Sequence, residues 1–256
     1  MTEASDRERV VFLHGQPGAG VEWHRVVERL GSAVDAVTPD RPGYASNPLA
    51  AGGFAANAEW LIGVVEDCGA EPVAIAAHSW SGGVALSLAL RRPDLVRGIV
   101  LVSSIGPGAV SRVDRLLANP AVGLPIMRAT FRVANPAMRW FLSRFGPAGE
   151  ARTAALDALD ASHARGAWRA FVTEQVALVD ELPGLLDQLG SVAAPVTVLS
   201  GTRDRVVPAL TAAELAARLP RATLVPVRGG RHQLHRTHPG LVADAVRDVL
   251  AKTRSS

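Results

Sequence analysis

Ser79 lies in the segment AHSWSGG, residues 77–83, directly after an apolar run at residues 72–76. Small residues on both sides of a serine allow the backbone to turn sharply between a strand and a helix, which lifts the hydroxyl above the sheet. The amino end of the following helix then favours negative charge that develops near that hydroxyl. The small-x-Ser-x-small pattern predicts a nucleophilic serine, although Ala77 and Ser81 stand where two glycines are usual.

A serine hydroxyl is a weak nucleophile at neutral pH, and it requires a base, an acid that orients the base, and donors for the oxyanion. The chain supplies candidates for the acid and the base. Asp204 follows the predicted strand 196–199, and His232 follows the predicted strand 223–227. The order Ser79, Asp204, His232 is therefore nucleophile, acid, base.

Other residues compete for two of these roles. Asp180 and Asp187 are alternative acids, and His235 and His238 are alternative bases. The His-x-x-His-x-x-His spacing that begins at His232 also invites a metal site, but no carboxylate or cysteine joins these histidines in sequence. We therefore predict no metal and no cofactor.

Short apolar runs alternate with amphipathic stretches and predict an α/β fold, in which a mostly parallel sheet is covered by helices on both faces. The predicted strands are residues 10–13, 34–38, 72–76, 98–103, 196–199 and 223–227. Between residues 109 and 190 the pattern is helical only, with predicted breaks at Pro120, Pro125, Pro136, Gly146-Pro147 and Pro183-Gly184. We therefore predict a core formed by residues 1–106 and 191–256 and a helical insertion at 107–190.

The chain resembles the α/β-hydrolase superfamily over nearly its whole length. The motifs that carry the resemblance are HGQPG at 14–18, DRPGY at 40–44, HSWSGG at 78–83, GTRDRVVP at 201–208 and RHQLHRTHP at 231–239. Many members have a proline seven residues after the catalytic histidine, and Pro239 has this spacing from His232. The resemblance implies the α/β-hydrolase fold, with the insertion as a helical cap over the carboxyl ends of the strands.

The resemblance also implies the site residues. Ser79 would attack the substrate carbonyl, His232 would take and return the proton, and Asp204 would hold the imidazole. The backbone N–H groups of Gln16 and Trp80 would form the oxyanion hole, where losing one donor typically costs ~3 kcal/mol of transition-state stabilisation. The predicted function is a serine hydrolase that cleaves an ester, lactone or related acyl bond through an acyl-enzyme on Ser79.

Polar residues beside these motifs have structural explanations. The resemblance makes His14 and His78 supports of the site rather than bases, and we expect Asp40 and Arg41 to stabilise their own loop. The side chains of the two oxyanion-hole residues either line the pocket or are incidental to their backbone role.

Four other functions fit the same motifs, one of them a cofactor-free haloperoxidase-like activity. A proline iminopeptidase has a similar loop and elbow, and Glu174 or Glu181 would then bind the free amino terminus. A carbon–carbon bond hydrolase of ring-cleavage products shares the triad and the cap, and a non-catalytic small-molecule receptor can retain both. Haloalkane dehalogenases and epoxide hydrolases of this fold use an aspartate as nucleophile, so Ser79 argues against them.

Composition limits the partners. The net charge is +3, Lys252 is the single lysine, and no long basic run favours nucleic acid. Four arginines of the insertion are expected to form a solvated face or, alternatively, to attract an anionic substrate or a membrane surface: Arg128, Arg132, Arg139 and Arg144. We expect a small apolar acyl substrate and a monomer or homodimer.

Location follows from three further observations. The first ten residues lack an apolar signal core, Cys68 is the single cysteine, and no run of ~18 apolar residues suggests a membrane span. We therefore expect a cytoplasmic protein.

Overall fold

The computed structural model describes residues 7–69, 71–145, 152, 156, 159–160 and 166–254. Six strands form one parallel sheet in the order β2-β1-β3-β4-β5-β6. The strands are β1 Glu8–Leu13, β2 Val34–Val37, β3 Val73–His78, β4 Val96–Val102, β5 Val196–Gly201 and β6 Ala222–Val227. This architecture confirms the predicted α/β fold.

The α-helices of the described chain follow the strands or extend the segment between β4 and β5. They are α1 His24–Leu30, α2 Phe54–Asp67, α3 Ser81–Arg91, α4 Arg112–Ala118, α5 Pro120–Phe145, α6 Ala167–Asp180, α7 Leu182–Asp187, α8 Ala209–Arg218, α9 Leu234–Thr237 and α10 Pro239–Arg254. None of the described helices is both long enough and apolar enough to cross a bilayer.

Both faces of the sheet are buried. Successive side chains of a strand point to opposite faces, so Val11 and Leu13 of β1 join one core with α2, α3 and α8, whereas Val10 and Phe12 join a second core with α1 and α10. Each such side chain stabilises the fold by about 1.5–3 kcal/mol when it is fully buried. Burial on both faces explains why the strands are nearly continuous apolar runs.

Helices α4 to α7 lie in the sequence segment that was expected to form a helical insertion. Within it, α4 and α5 pack against each other and both pack against α6. Leu178 of α6 and Leu185 of α7 belong to the same core cluster as α2 and α3, so this segment is joined to the sheet domain through apolar packing.

The predicted helix breaks at Pro125 and Pro136 are wrong, because α5 continues through both prolines. A proline inside a helix removes one hydrogen-bond donor and costs about 3 kcal/mol, but tertiary packing supplies most of the stability of a protein helix. Pro120, by contrast, is the first residue of α5, where a proline is well tolerated. The predicted break at residues 146–147 lies outside the described residues.

Candidate active site

Ser79 immediately follows β3 and has a left-handed backbone, with a φ of +56°. Few residues other than glycine adopt this conformation, which costs about 1–3 kcal/mol and persists only where surrounding bonds enforce it. Here the Ser79 N–H donates to the carbonyl of Val102 at 3.0 Å, and the Ser79 carbonyl accepts from the N–H of Gly82 at 3.1 Å. The turn therefore holds the hydroxyl at the carboxyl end of the central strands.

The two residues that replace the usual glycines fit this turn in different ways. Ala77 is fully buried within the apolar core. Ser81 donates its hydroxyl to the carbonyl of His14, so its side chain ties the elbow to the loop after β1. Gly82 is a position where glycine is needed, because a Cβ there would collide with the Ser104 hydroxyl.

His232 contacts both of its predicted partners. Its Nε2 lies 3.0 Å from Ser79 Oγ, and its Nδ1 lies 2.9 Å from Asp204 Oδ2. Since an ionised carboxylate can only accept a hydrogen bond, Nδ1 carries the proton and Nε2 accepts from the serine hydroxyl. The structure thus brings the three sequence-predicted residues into one hydrogen-bonded line.

Asp204 is held as an acceptor by the turn that follows β5. Its Oδ1 accepts the backbone N–H groups of Val206 at 2.8 Å and Val207 at 3.0 Å, while Oδ2 faces His232. Burial favours a higher pKa for this carboxyl, but the hydrogen bonds from His232 and the two N–H groups outweigh it. The pKa of Asp204 therefore lies below its ordinary value.

His78 supports the segment that carries His232. Its Nε2–H donates to the backbone carbonyl of His232 at 3.1 Å. Burial, reinforced by the neighbouring rings of His235 and His232, holds the pKa of His78 well below its ordinary value, so the ring stays neutral. This agrees with the expectation that His78 is a support and not a base.

The rival residues occupy other environments. His235 is fully buried, with its ring centroid 4.9 Å from that of Trp23 and its Nε2 3.5 Å from Glu22 Oε2. His238 is half-buried and contacts the hydroxyl of its neighbour Thr237, and Asp180 and Asp187 are exposed. Within the described residues no group of three or more His, Cys, Asp or Glu side chains is placed to hold a metal ion.

The loop after β1, which carries the HGQPG motif, runs beside the elbow. A Cβ at Gly15 would lie 3.3 Å from Ser79 Cβ and 2.6 Å from His78 Nδ1, so this position has room only for glycine. Gln16 is the next residue of this loop, and Trp80 follows Ser79 at the start of α3. The two segments that carry the predicted oxyanion donors therefore meet at Ser79.

A buried ionic network that sequence reasoning missed lies behind this loop. The guanidinium of Arg41 donates to the carbonyls of His14 at 3.0 Å and Gly15 at 2.8 Å. It also forms an ion pair with Glu174 of α6, whose Oε2 accepts the Tyr44 hydroxyl at 2.7 Å. Arg41 therefore does more than stabilise its own loop, and the Glu174 carboxylate is already occupied rather than free to bind a substrate amine.

Burial fixes the protonation states in this network. Burial raises the pKa of Glu174 above its ordinary value, while Arg41 and Tyr44 oppose that shift. Burial and the neighbouring Glu174 raise the pKa of Tyr44 well above its ordinary value, so its hydroxyl remains a donor. Burial and Arg41 lower the pKa of His14, whose neutral ring accepts the backbone N–H of Arg41 through Nε2 at 2.9 Å.

The side chains of Gln16 and Trp80, the predicted oxyanion donors, also reach α6. The Gln16 amide donates to the carbonyl of Phe171 at 2.8 Å, and the Trp80 indole N–H donates to the carbonyl of Glu174 at 3.1 Å. One signal in the sequence pointed to this region: Glu174 is a charged residue among the mostly apolar residues of the buried face of α6. Its partner could not be found in this way, because Arg41 is 133 residues distant.

Comparisons with known proteins find related sequences over most of the chain. The family model described as "Alpha/beta hydrolase family" matches residues 10–245. The magnesium-chelatase 30 kDa subunit of Rhodobacter capsulatus is 28% identical over 249 residues, covering 91% of this chain and 84% of that protein. Lipase LipV of Mycobacterium tuberculosis is 35% identical over 117 residues, covering 44% of each chain.

Two solved structures share the fold. A thermophilic esterase from Thermogutta terrifontis has a TM-score of 0.76 at 19% identity and covers 96% of this chain and 90% of its own. The haloalkane dehalogenase DbeA from Bradyrhizobium elkani has a TM-score of 0.77 at 20% identity, with coverages of 98% and 92%.

Proposed function

Because the chain belongs to the alpha/beta hydrolase family, we propose that it is a serine hydrolase that cleaves an ester, lactone or related acyl bond. The observation that carries this proposal is the hydrogen-bonded line from Ser79 Oγ through His232 to Asp204. Membership of the family supports a hydrolytic function. That the substrate is an acyl compound is our proposal.

The proposed reaction has two halves. Ser79 Oγ attacks the acyl carbon while its proton passes to His232 Nε2, and Asp204 stabilises the imidazolium. The tetrahedral oxyanion accepts hydrogen bonds from the backbone N–H groups of Gln16 and Trp80. His232 then gives the proton to the leaving group, which departs and leaves an acyl-enzyme.

The second half repeats these transfers with water. His232 Nε2 takes a proton from water as its oxygen attacks the acyl carbon, and the same donors bind the second oxyanion. The acid leaves as Ser79 Oγ recovers its proton. Neither half requires a cofactor, because the base, the orienting acid and the donors are all groups of this chain.

We further propose that residues 107–190 form a cap over this edge of the core built from residues 1–106 and 191–256. The support is that α6, within that segment, makes polar contacts with Gln16 and Trp80 on either side of Ser79. The substrate would be a small apolar acyl compound held between the cap and the elbow.

Acyl esters are favoured over amino-terminal peptides for a specific reason. Glu174, the cap carboxylate nearest the loop after β1, is bound to Arg41 and Tyr44, whereas Glu181 lies at the amino-terminal turn of α2, where its Oε2 accepts the exposed N–H of Ala55 at 3.1 Å. A peptidase of this kind would need a carboxylate with a free oxygen at the pocket. The lipase match points in the same direction as this argument.

A substrate panel tests the proposal. We expect the purified protein to hydrolyse p-nitrophenyl esters or lactones in preference to aminoacyl naphthylamides. Ser79→Ala should abolish turnover, whereas Ser87→Ala, a matched change on α3, should keep it. Hydrolysis of the naphthylamides alone would replace the esterase assignment with a peptidase, and equal turnover by Ser79→Ala would contradict the mechanism.

A further inference from the structure

We propose that helix α6 fixes the geometry of the oxyanion hole, with Arg41 and Glu174 as positioning residues. This inference rests on the proposed function, because it concerns donors that act in the proposed reaction. The juxtaposition behind it is that one helix of the inserted segment binds three separate parts of the sheet domain, at Gln16, Trp80 and Arg41.

The two proposed oxyanion donors are anchored to this same helix. The Gln16 side chain ends on the carbonyl of Phe171, and the Trp80 side chain ends on the carbonyl of Glu174. These two carbonyls are three residues apart, which places them on one side of α6. The side chains thus hold the residues in place while their backbone N–H groups stay available to the substrate.

Arg41 orients one of the donors directly. The carbonyl of Gly15 and the N–H of Gln16 belong to one planar peptide unit, and in a trans peptide the two groups point in opposite directions. The Arg41 guanidinium binds the Gly15 carbonyl at 2.8 Å, and His14 Nδ1–H binds the same oxygen at 2.9 Å. These two bonds set the direction in which the Gln16 N–H points.

Glu174 makes this arrangement possible at a buried position. The side chains of Arg41 and Glu174 are both fully inaccessible to solvent, and a buried guanidinium without a counter-ion is strongly destabilising. The guanidinium is also sandwiched between aromatic rings, 5.0 Å from the Tyr44 centroid and 4.7 Å from the Trp80 centroid. These contacts hold the Arg41 guanidinium so that its N–H groups point toward the loop after β1.

If the Arg41–Glu174 pair only stabilises the fold, replacing it should leave kcat unchanged. If the pair positions the Gln16 N–H, replacing it should lower kcat. The double variant Arg41→Met/Glu174→Leu replaces the pair by apolar groups, which avoids the unpaired buried charge that either single variant would leave. It also removes the guanidinium from the Gly15 carbonyl. We expect kcat for an ester substrate to fall about tenfold or more, since misplacing a group by 1 Å costs up to about a hundredfold, while KM stays nearly unchanged.

Two further variants complete the experiment. The exposed pair Arg91 and Glu59 gives the matched control Arg91→Met/Glu59→Leu, which should retain wild-type kcat. Gln16→Met keeps the backbone donor but loses the anchor on Phe171, and we expect a fall in kcat of about threefold or more at unchanged KM. This variant keeps the proposal testable if the Arg41 double variant does not fold.

The outcomes separate this inference from the proposed function. A wild-type protein whose turnover is abolished by Ser79→Ala establishes the function in the same assay. Wild-type kcat in the folded Arg41 double variant, or in Gln16→Met, would then overturn the positioning role alone. Absence of turnover in the wild-type protein would contradict the proposed function and this inference with it.

Discussion

Helices α5 and α6 belong to the same inserted segment and differ sharply in how they are held. In α6 a fully buried Glu174 and two backbone carbonyls bind the sheet domain beside Ser79. In α5 several large apolar side chains remain at the surface, with Val133 70% and Trp140 62% exposed. Among the described residues of these two helices, α6 therefore makes the polar contacts to the sheet domain that lie near the proposed catalytic residues.

The difference shows that the number of apolar residues in a helix does not by itself predict whether the helix is bound to the sheet domain. Both helices carry many apolar residues, but α6 buries a charged residue among them, and a buried charge requires a partner in a defined place. The arginines of α5 have no such constraint: Arg128 and Arg132 are exposed, and Arg139 pairs with Asp160 in an exposed ion pair.

The largest effect is expected at the proposed catalytic residues. In Asp204→Asn the new amide would donate to His232 Nδ1, which forces the proton onto Nε2 and removes the acceptor for the Ser79 hydroxyl. Since such a tautomer change costs about 10⁴-fold in kcat, we expect ester turnover to fall to near background. Trp140→Ser on α5 is the control and should keep turnover. Comparable losses in both variants would erase the distinction between the two regions.

Removing one partner of the buried pair tests how firmly α6 is fixed. Glu174→Leu leaves the Arg41 guanidinium buried without a counter-ion, and we expect the free energy of unfolding to fall by about 3–5 kcal/mol. Arg139→Met on α5 removes an exposed ion pair and should cost at most about 1 kcal/mol. Urea unfolding monitored by circular dichroism measures both. Equal losses would show that the two helices are held alike.

The acid dependence of stability provides a third test. Because the folded pKa of Asp204 is depressed below the ordinary 3.8, its stabilising contribution is present above that value and is lost as the pH falls through the folded pKa. The unfolding free energy of the wild-type protein should therefore exceed that of Asp204→Asn at pH 6 by more than it does in strong acid. A difference between the two proteins that does not change with pH would be inconsistent with the hydrogen bonds assigned to Asp204.

The smallest effect is expected on the outer face of α5. Trp140→Ser changes a side chain that is 62% exposed, so the unfolding free energy should change by no more than about 0.5 kcal/mol. Thermal unfolding compared with the wild-type protein measures this. A loss of several kcal/mol would mean that this face of α5 is held as firmly as α6.

Much of the sheet and the proposed catalytic residues could be predicted from the sequence because their signals are local. The strands are apolar runs, and Ser79, Asp204 and His232 each follow one of them within a few residues. The Arg41–Glu174 pair joins distant parts of the chain, so no local pattern could show it. The continuity of α5 through Pro125 and Pro136 was also missed, because a proline inside a helical pattern ordinarily indicates a break.

Covalent labelling tests the central claim that Ser79 is the nucleophile most directly. The folded protein should react with a fluorophosphonate to give a single adduct, located by peptide mass mapping at Ser79. Ser79→Ala should not react, and Ser87→Ala should react as the wild-type protein does. Absence of an adduct on folded wild-type protein, or an adduct at another residue, would contradict the account.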